Sequence, residues 1–204
     1  MTTSTYPDAL ALGRTVLPPV NLWRWIEAHR DDLQPPVGNK YMYRGDNFFV
    51  MVIGGPNARN DFHINNTEEW FHQLKGDCFV RIRVDGEEQD VIIREGETWM
   101  CPPRVPHSPQ RPPGTIGLVV ETERREDELD KQAFYCRECG HLVHESTFKL
   151  RDIVQHFGEM METFWKDDDL RTCANCGTKV EPAEPRRSLT QPWGCQGSTL
   201  ERNT

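Results

Sequence analysis

Apolar positions near the start of the chain recur at helical spacing in NLWRWIEAHRDDL, residues 21–33. Leu22, Trp25, Ile26 and Leu33 fall on one face behind a capping Asn21, and Gln34-Pro35-Pro36 closes the segment. A short helix packed by that face is predicted. From residue 47 to 121 the period changes to the short runs NFFVMVIG, EWFHQLK, CFVRIRV, QDVIIR, ETWMC and IGLVVE. Turn signals at Gly54-Gly55-Pro56, Asp85-Gly86 and Glu95-Gly96 punctuate them. With no helical stretch between the runs, the pattern predicts an antiparallel sandwich or barrel, not a parallel α/β sheet. After Arg124 charges accumulate. Helical spacing then returns in LRDIVQHFGEMMETFW through Ile153, Val154, Phe157, Met161, Phe164 and Trp165, which predicts a helix packing on the barrel. From Glu181 onward Pro, Ser, Gly and mixed charges predict a flexible tail.

At 204 residues the chain accommodates one well-filled core and a small appendage, so one site is the default expectation. The balance of 24 basic and 32 acidic residues, net charge -8, has no Lys/Arg-rich block, which argues against nucleic acid as a partner. No apolar run approaches the about 18 residues of a membrane span, and MTTSTYPDALALGR lacks the apolar stretch of a secretory signal, so a cytoplasmic protein is expected. Seven cysteines, an odd count in paired C-x-x-C spacing, argue for reduced thiols used on metal.

Candidate chemistry concentrates in two places. His63 and Glu69 lie near the start of one hairpin, and His107 beyond the next. Two histidines and one carboxylate can hold one face of an octahedral Fe(II), leaving positions for substrate and dioxygen. The competing reading is a histidine hydrogen-bonded in the core and a Glu69 that caps a strand end. Spacing favours the metal: Glu69-x6-Gly76, and Gly96-x5-Pro102 with His107 five residues later, match the two cupin motifs, whereas Glu68 is out of register. Strand alternation puts Glu69, Phe71 and Gln73 on one face and Trp70, His72 and Leu74 on the other, so His72 is expected to point away from the metal. The second place is a pair of knuckles, Cys136-x-x-Cys139-Gly140 and Cys173-x-x-Cys176-Gly177, which present four thiolates from two tight turns as tetrahedral structural sites do. A redox pair or a disulfide is the alternative. The glycine after each pair lets backbone amides approach sulfur and favours a metal, iron or zinc. Cys78 and Cys101 are expected in the core and Cys195 in the tail.

From Trp23 to about Gly177 the sequence resembles the 3-hydroxyanthranilate 3,4-dioxygenase family, through PPVGN at 35–39, GGPNARNDFH at 54–63, EEWFHQLKG at 68–76, PPRVPHSPQRP at 102–112 and YCRECGHLVH at 135–144. Asp61, where many cupins place a first histidine ligand, and Arg104, in place of the usual glycine of the second motif, depart from the general cupin pattern as this family does. The resemblance implies a mainly β cupin, a double-stranded β-helix or jelly-roll barrel with short helices, and a small rubredoxin-like C-terminal metal module of the kind bacterial relatives have and animal relatives lack. It implies His63, Glu69 and His107 as ligands of a catalytic Fe(II), and Cys136, Cys139, Cys173 and Cys176 as ligands of a second iron or zinc. It also implies Arg111 as the grip on the substrate carboxylate, Glu121 as hydrogen-bond and proton partner of the substrate hydroxyl or amine, and Arg59 beside dioxygen. The implied reaction is iron-dependent ring cleavage of 3-hydroxyanthranilate by oxygen to 2-amino-3-carboxymuconate semialdehyde, the precursor of quinolinate in the kynurenine route to NAD.

The expected organisation is a catalytic barrel with its N-terminal helix over 1–124, a four-cysteine module with helix over 125–180, and a tail over 181–204. The expected partners are a small aromatic substrate and dioxygen, with a homodimer left open. A non-catalytic or sensory metal-binding cupin is the rival reading, told apart by an open coordination face. A zinc-ribbon adaptor for nucleic acid is disfavoured by the acidic balance of the chain and the lack of a basic stripe around Cys136 and Cys173.

Overall fold

The computed structural model describes residues 10–11, 18–35 and 38–184. Cys195 and most of the expected tail, 185–204, lie outside the described residues.

The described strands are, in chain order, β1 (Leu10–Ala11), β2 (Asn39–Arg44), β3 (Phe48–Gly54), β4 (Asp61–Ile64), β5 (Glu69–Lys75), β6 (Cys78–Val84), β7 (Glu87–Ile93), β8 (Thr98–Cys101), β9 (His107–Gln110), β10 (Ile116–Thr122), β11 (Asp130–Tyr135) and β12 (Leu142–Phe148). They form two six-stranded sheets, ordered β1-β2-β3-β10-β5-β8 and β12-β11-β4-β9-β6-β7. From β3 to β10 the chain crosses between the sheets at every step except the β6–β7 hairpin, the winding of a jelly roll. The fold is therefore a mainly β cupin barrel. Alternation decides which side chains enter it: Glu69, Phe71 and Gln73 of β5 are buried, while Trp70, His72 and Leu74 are only partly so. The interior is filled by Phe49, Met51, Ile53, Phe71, Val80, Ile93 and Val119, with Cys78 and Cys101 among them as expected.

Helix α1 (Leu22–Ala28) covers one outer face of the first sheet, burying Trp25 and Ile26 against Met42 and Val52. Asn21 caps it, its side chain accepting from the Arg24 amide at 3.0 Å. The helix is shorter than its apolar period suggests. His29 stacks on Trp25, its Nδ1 sits 2.8 Å from the Trp25 carbonyl, and the chain tightens into a 3-10 turn over Arg30–Leu33 that still buries Leu33.

Strands β4 and β9 carry no alternation signal because both are four residues long and buried nearly throughout, and β9 contains Pro109. Proline in a central strand runs against the usual pattern. These two strands are neighbours, with His63 directly opposite His107.

Beyond residue 124, β11 hydrogen-bonds to β4 and β12 to β11, so the second sheet continues into the segment that bears the cysteines. Helix α2 (Ile153–Lys166) follows, then α3 (Asp168–Arg171). On α2, Phe164 stacks on Phe134 of β11 with ring centroids 3.7 Å apart, and Phe157 meets the His63 ring edge-on at 4.9 Å. No helix among the described residues is long and apolar enough to cross a membrane.

Candidate functional site

Inside the barrel the two sheets bring His63 of β4, His107 of β9 and Glu69 of β5 together, one ligand atom of each lying within 4.8 Å of the others. All three are buried. Glu69 Oε2 is 2.9 Å from His107 Nε2 and 4.0 Å from His63 Nδ1, yet makes no hydrogen bond of acceptable geometry. An orphaned carboxylate oxygen facing two imidazole nitrogens is what a divalent cation would satisfy, so the residues fit a metal ion. The far side of each ring is already engaged. His107 Nδ1 lies 2.9 Å from the Val105 carbonyl and His63 Nε2 lies 2.7 Å from Asp130 Oδ2, contacts that orient imidazole ligands and turn the opposite nitrogen toward Glu69.

The electrostatics follow from burial and these neighbours. Burial works against a charged His107, but the Glu69 carboxylate outweighs it and raises that imidazole well above its usual value. For His63 burial dominates and lowers the pKa, with His107 adding to it and Asp130 opposing. Burial would raise Glu69, but the nearby histidines hold it below the usual carboxylate range.

Glu121 on β10 is the cross-strand partner of Glu69. Its Oε2 accepts from Arg124 Nη2 at 2.7 Å, while Oε1 is buried with no partner. Burial first, then the Glu69 charge, push its carboxyl up to about 8 against the opposing pull of Arg124.

Arg111, just past β9, is 2% exposed and makes no ion pair among the described residues. Its Nη1 donates to Gln73 Oε1 at 2.8 Å, its Nε has no partner, and burial lowers its pKa. Gly117 makes room for this arrangement: a Cβ there would lie 2.6 Å from Arg111 Nη1 and 2.7 Å from Gln73 Oε1.

Arg59 is held differently. Its Nε and Nη2 reach Asp61 at 3.0 and 2.5 Å, its guanidinium lies 4.8 Å from the Phe157 ring centroid, and Gln110 accepts from its backbone amide and donates to its carbonyl. Asp61, at the place of a usual cupin ligand, thus serves as a counter-ion instead. Arg104, in place of the motif glycine, adopts the left-handed backbone conformation (φ 63°) that glycine favours. His72 lies outside the cluster, partly exposed and stacked near Trp70 at 5.7 Å.

The four cysteines of the knuckles also converge. Their sulfurs lie within 4.8 Å of one another, with Cys136–Cys176 at 3.5 Å and Cys139–Cys173 at 3.6 Å, none in a disulfide. A tetrahedron with metal–sulfur bonds near 2.3 Å has edges of about 3.8 Å, so the spacing suits one ion. The knuckles share their turns: the amides of Gly140 and Gly177, both at positive φ, donate at 2.8 Å to the carbonyls of Cys136 and Cys173. Burial pushes the Cys136 thiol up to about 11, whereas hydrogen bonding with Thr178 brings Cys176 down to about 6.

Asp130, Arg124 and Gln73 were not apparent as site residues in the sequence. Asp130 and Arg124 sit in a charged run, and Gln73's only signal is its shared strand face with Glu69.

A jelly roll whose interior gathers two histidines and a carboxylate from both sheets is a cupin with a candidate metal centre. Within that class the chain belongs to the 3-hydroxyanthranilic acid dioxygenase family, whose model matches residues 15–165. It is 46% identical over 176 residues to a 3-hydroxyanthranilate 3,4-dioxygenase of Xanthomonas euvesicatoria pv. vesicatoria, covering 86% of this chain and 99% of that protein. It is 41% identical over 174 residues to one of Neurospora crassa, covering 85% and 96%. A cupin-2 domain containing protein from Shewanella frigidimarina aligns at 16% identity over 46% of this chain and 88% of its own, with a TM-score of 0.38.

Proposed function

We propose that this chain opens the ring of 3-hydroxyanthranilate with dioxygen, giving 2-amino-3-carboxymuconate semialdehyde, and that His63, Glu69 and His107 hold the ferrous iron the reaction requires. The observation that carries the reading is Arg111: a buried guanidinium with no ion-pair partner among the described residues, in the same barrel interior as the His/Glu/His cluster, calls for an anionic ligand. A benzoate supplies that anion. When bound, iron supplies a centre at which the substrate's adjacent hydroxyl and amino groups and dioxygen meet.

The protein's own groups do the rest. Arg111 offers its fork to the carboxylate and fixes which way the ring lies. Glu121 directs its unpartnered Oε1 toward the substrate hydroxyl or amine, and a carboxyl with a raised pKa can exchange a proton there near neutral pH. Arg59, pinned by Asp61, places positive charge where dioxygen gains electron density. The balance is simple: both oxygen atoms enter the product as one ring bond breaks, between the hydroxyl-bearing carbon and its neighbour outside the hydroxyl/amine pair.

Cys136, Cys139, Cys173 and Cys176 form the second site, for iron or zinc, and contribute folding free energy to the module over 125–180, whose strands join the barrel sheet. A cytoplasmic location fits a protein with four reduced cysteines at one site. The test is to mix Fe(II)-loaded protein with 3-hydroxyanthranilate under air and follow oxygen uptake with the semialdehyde. One oxygen consumed per semialdehyde supports the reading, and a barrel iron that takes up neither substrate nor nitric oxide refutes it.

A further inference from the structure

We propose that Arg124 is a positioning residue for ring opening, clamping the acid Glu121 and the Asp130–His63 pair through one buried guanidinium. The inference rests on the proposed reaction and deepens it. Arg124 follows β10 by two residues, and its side chain is 1% exposed. Its Nε reaches both carboxylate oxygens of Asp130 at 2.9 and 3.1 Å, and its Nη2 meets Asp130 Oδ2 at 2.9 Å and Glu121 Oε2 at 2.7 Å. Nη1 donates to the Thr122 carbonyl at 2.6 Å, so every nitrogen of the group is engaged. Asp130 Oδ2 is also the atom that faces His63 Nε2 at 2.7 Å.

The result is one continuous chain, Glu121–Arg124–Asp130–His63, running from the first sheet to the second. It determines two atoms that matter. Holding Glu121 by Oε2 stops the carboxylate from turning and leaves Oε1, buried and unsatisfied, as the oxygen available to a ligand. Holding Asp130 against His63 Nε2 leaves Nδ1 as the nitrogen facing Glu69. The clamp leaves Glu121 Oε1 buried and unsatisfied, a cost that stability alone does not call for. It needs a planar fork that serves two carboxylates at once, which an ammonium on a flexible stem cannot reproduce. The neighbouring Arg125, 77% exposed at its side chain, shows how little the local sequence decides this.

The experiment compares full-length Arg124→Lys and Arg124→Ala with the parent, first for folding by circular dichroism. Fe(II) affinity of the barrel site is then measured by chelator competition without substrate or oxygen. Next come kcat and KM for 3-hydroxyanthranilate, with and without added guanidinium ion. Positioning predicts that Arg124→Lys binds barrel iron about 10- to 100-fold more weakly, the span typical of a lost ligand-orienting contact. It also predicts a larger fall in kcat than rise in KM, and partial recovery of Arg124→Ala by guanidinium. If folded Arg124→Lys matches the parent in iron affinity and kcat, the proposal is overturned.

Should both variants fail to fold, Asp130→Asn decides. Asp130→Asn must weaken iron binding, and unchanged affinity would equally overturn the clamp. A parent that binds iron but consumes no oxygen with 3-hydroxyanthranilate would sink the reaction while leaving the iron affinities to judge the clamp separately.

Discussion

Replacing Arg111 by methionine tests whether its charge is kept for a ligand or for the fold. Arg111 is 2% exposed, donates one hydrogen bond to Gln73 at 2.8 Å and leaves Nε buried without a partner. A buried donor in that state costs about 1–3 kcal/mol, and a cation adds to it. Methionine fills most of the same volume without a charge. Metal-loaded but substrate-free Arg111→Met should therefore lie between unchanged stability and a gain of about 2 kcal/mol, since uncompensated buried ions are often replaced at no loss. Binding should move the other way. Loss of a charge-assisted hydrogen bond to the substrate carboxylate costs about 1.5–3 kcal/mol, or roughly 10- to 150-fold in Kd.

The control is 2-aminophenol, which keeps the adjacent hydroxyl and amine but has no carboxylate, so its affinity should change much less. Urea denaturation gives the stability, and anaerobic titration of the Fe(II) protein gives both affinities. A loss of stability above about 3 kcal/mol would reveal a broken buried ion pair, and so a counter-ion within the molecule. Unchanged affinity for 3-hydroxyanthranilate would place the carboxylate elsewhere, with Arg59 the next candidate.

Alanine at His63, Glu69 or His107 should abolish turnover and release the barrel iron, whereas His72→Ala should keep both; metal analysis reporting the reverse would overturn the assignment of faces. Arg59→Ala should slow the single-turnover step for both 3-hydroxyanthranilate and 2-aminophenol while leaving anaerobic binding nearly intact. Cys136→Ser or Cys173→Ser should lower stability and remove about one metal equivalent per chain yet leave measurable ring cleavage; an inactive variant that is folded and still loaded with barrel iron would give the thiolate site a part in the chemistry. In metal-free protein the Glu121 carboxyl stands at about 8 against an ordinary 4.5, so the folded state holds a proton that the unfolded state has released. Its contribution is complete below the lower value and lost as pH rises toward the upper one, at up to about 1.4 kcal/mol per pH unit. Glu121→Gln should flatten the stability profile between pH 6 and 8, and a parallel profile would show Glu121 ionised throughout.

Much of the barrel was legible along the chain because alternation is local. Runs such as EWFHQLK and CFVRIRV carry their own period, and β5 and β6 keep the ends those runs suggest. The knuckle cysteines were legible for the same reason: a turn of four or five residues sets two sulfurs side by side whatever surrounds it. The two histidine-bearing strands were not, since β4 and β9 are too short and too buried to alternate and Pro109 interrupts the second. Only sheet pairing decided that His63 lies opposite His107 and that Glu69 reaches them from the other sheet.

The charged groups show the division most clearly. Arg124 and Arg125 are adjacent and identical in chemistry, and the run around them gives no reason to separate them. The fold puts the first between Glu121 and Asp130 with 1% of its side chain exposed and leaves the second 77% exposed. The same holds for Arg111, whose want of a counter-ion among the described residues is a property of its surroundings in space. Residue type determined what each of these groups could bind. Which of them lost water, and so gained the strong interactions of a low-dielectric interior, was decided by the packing of two sheets around them.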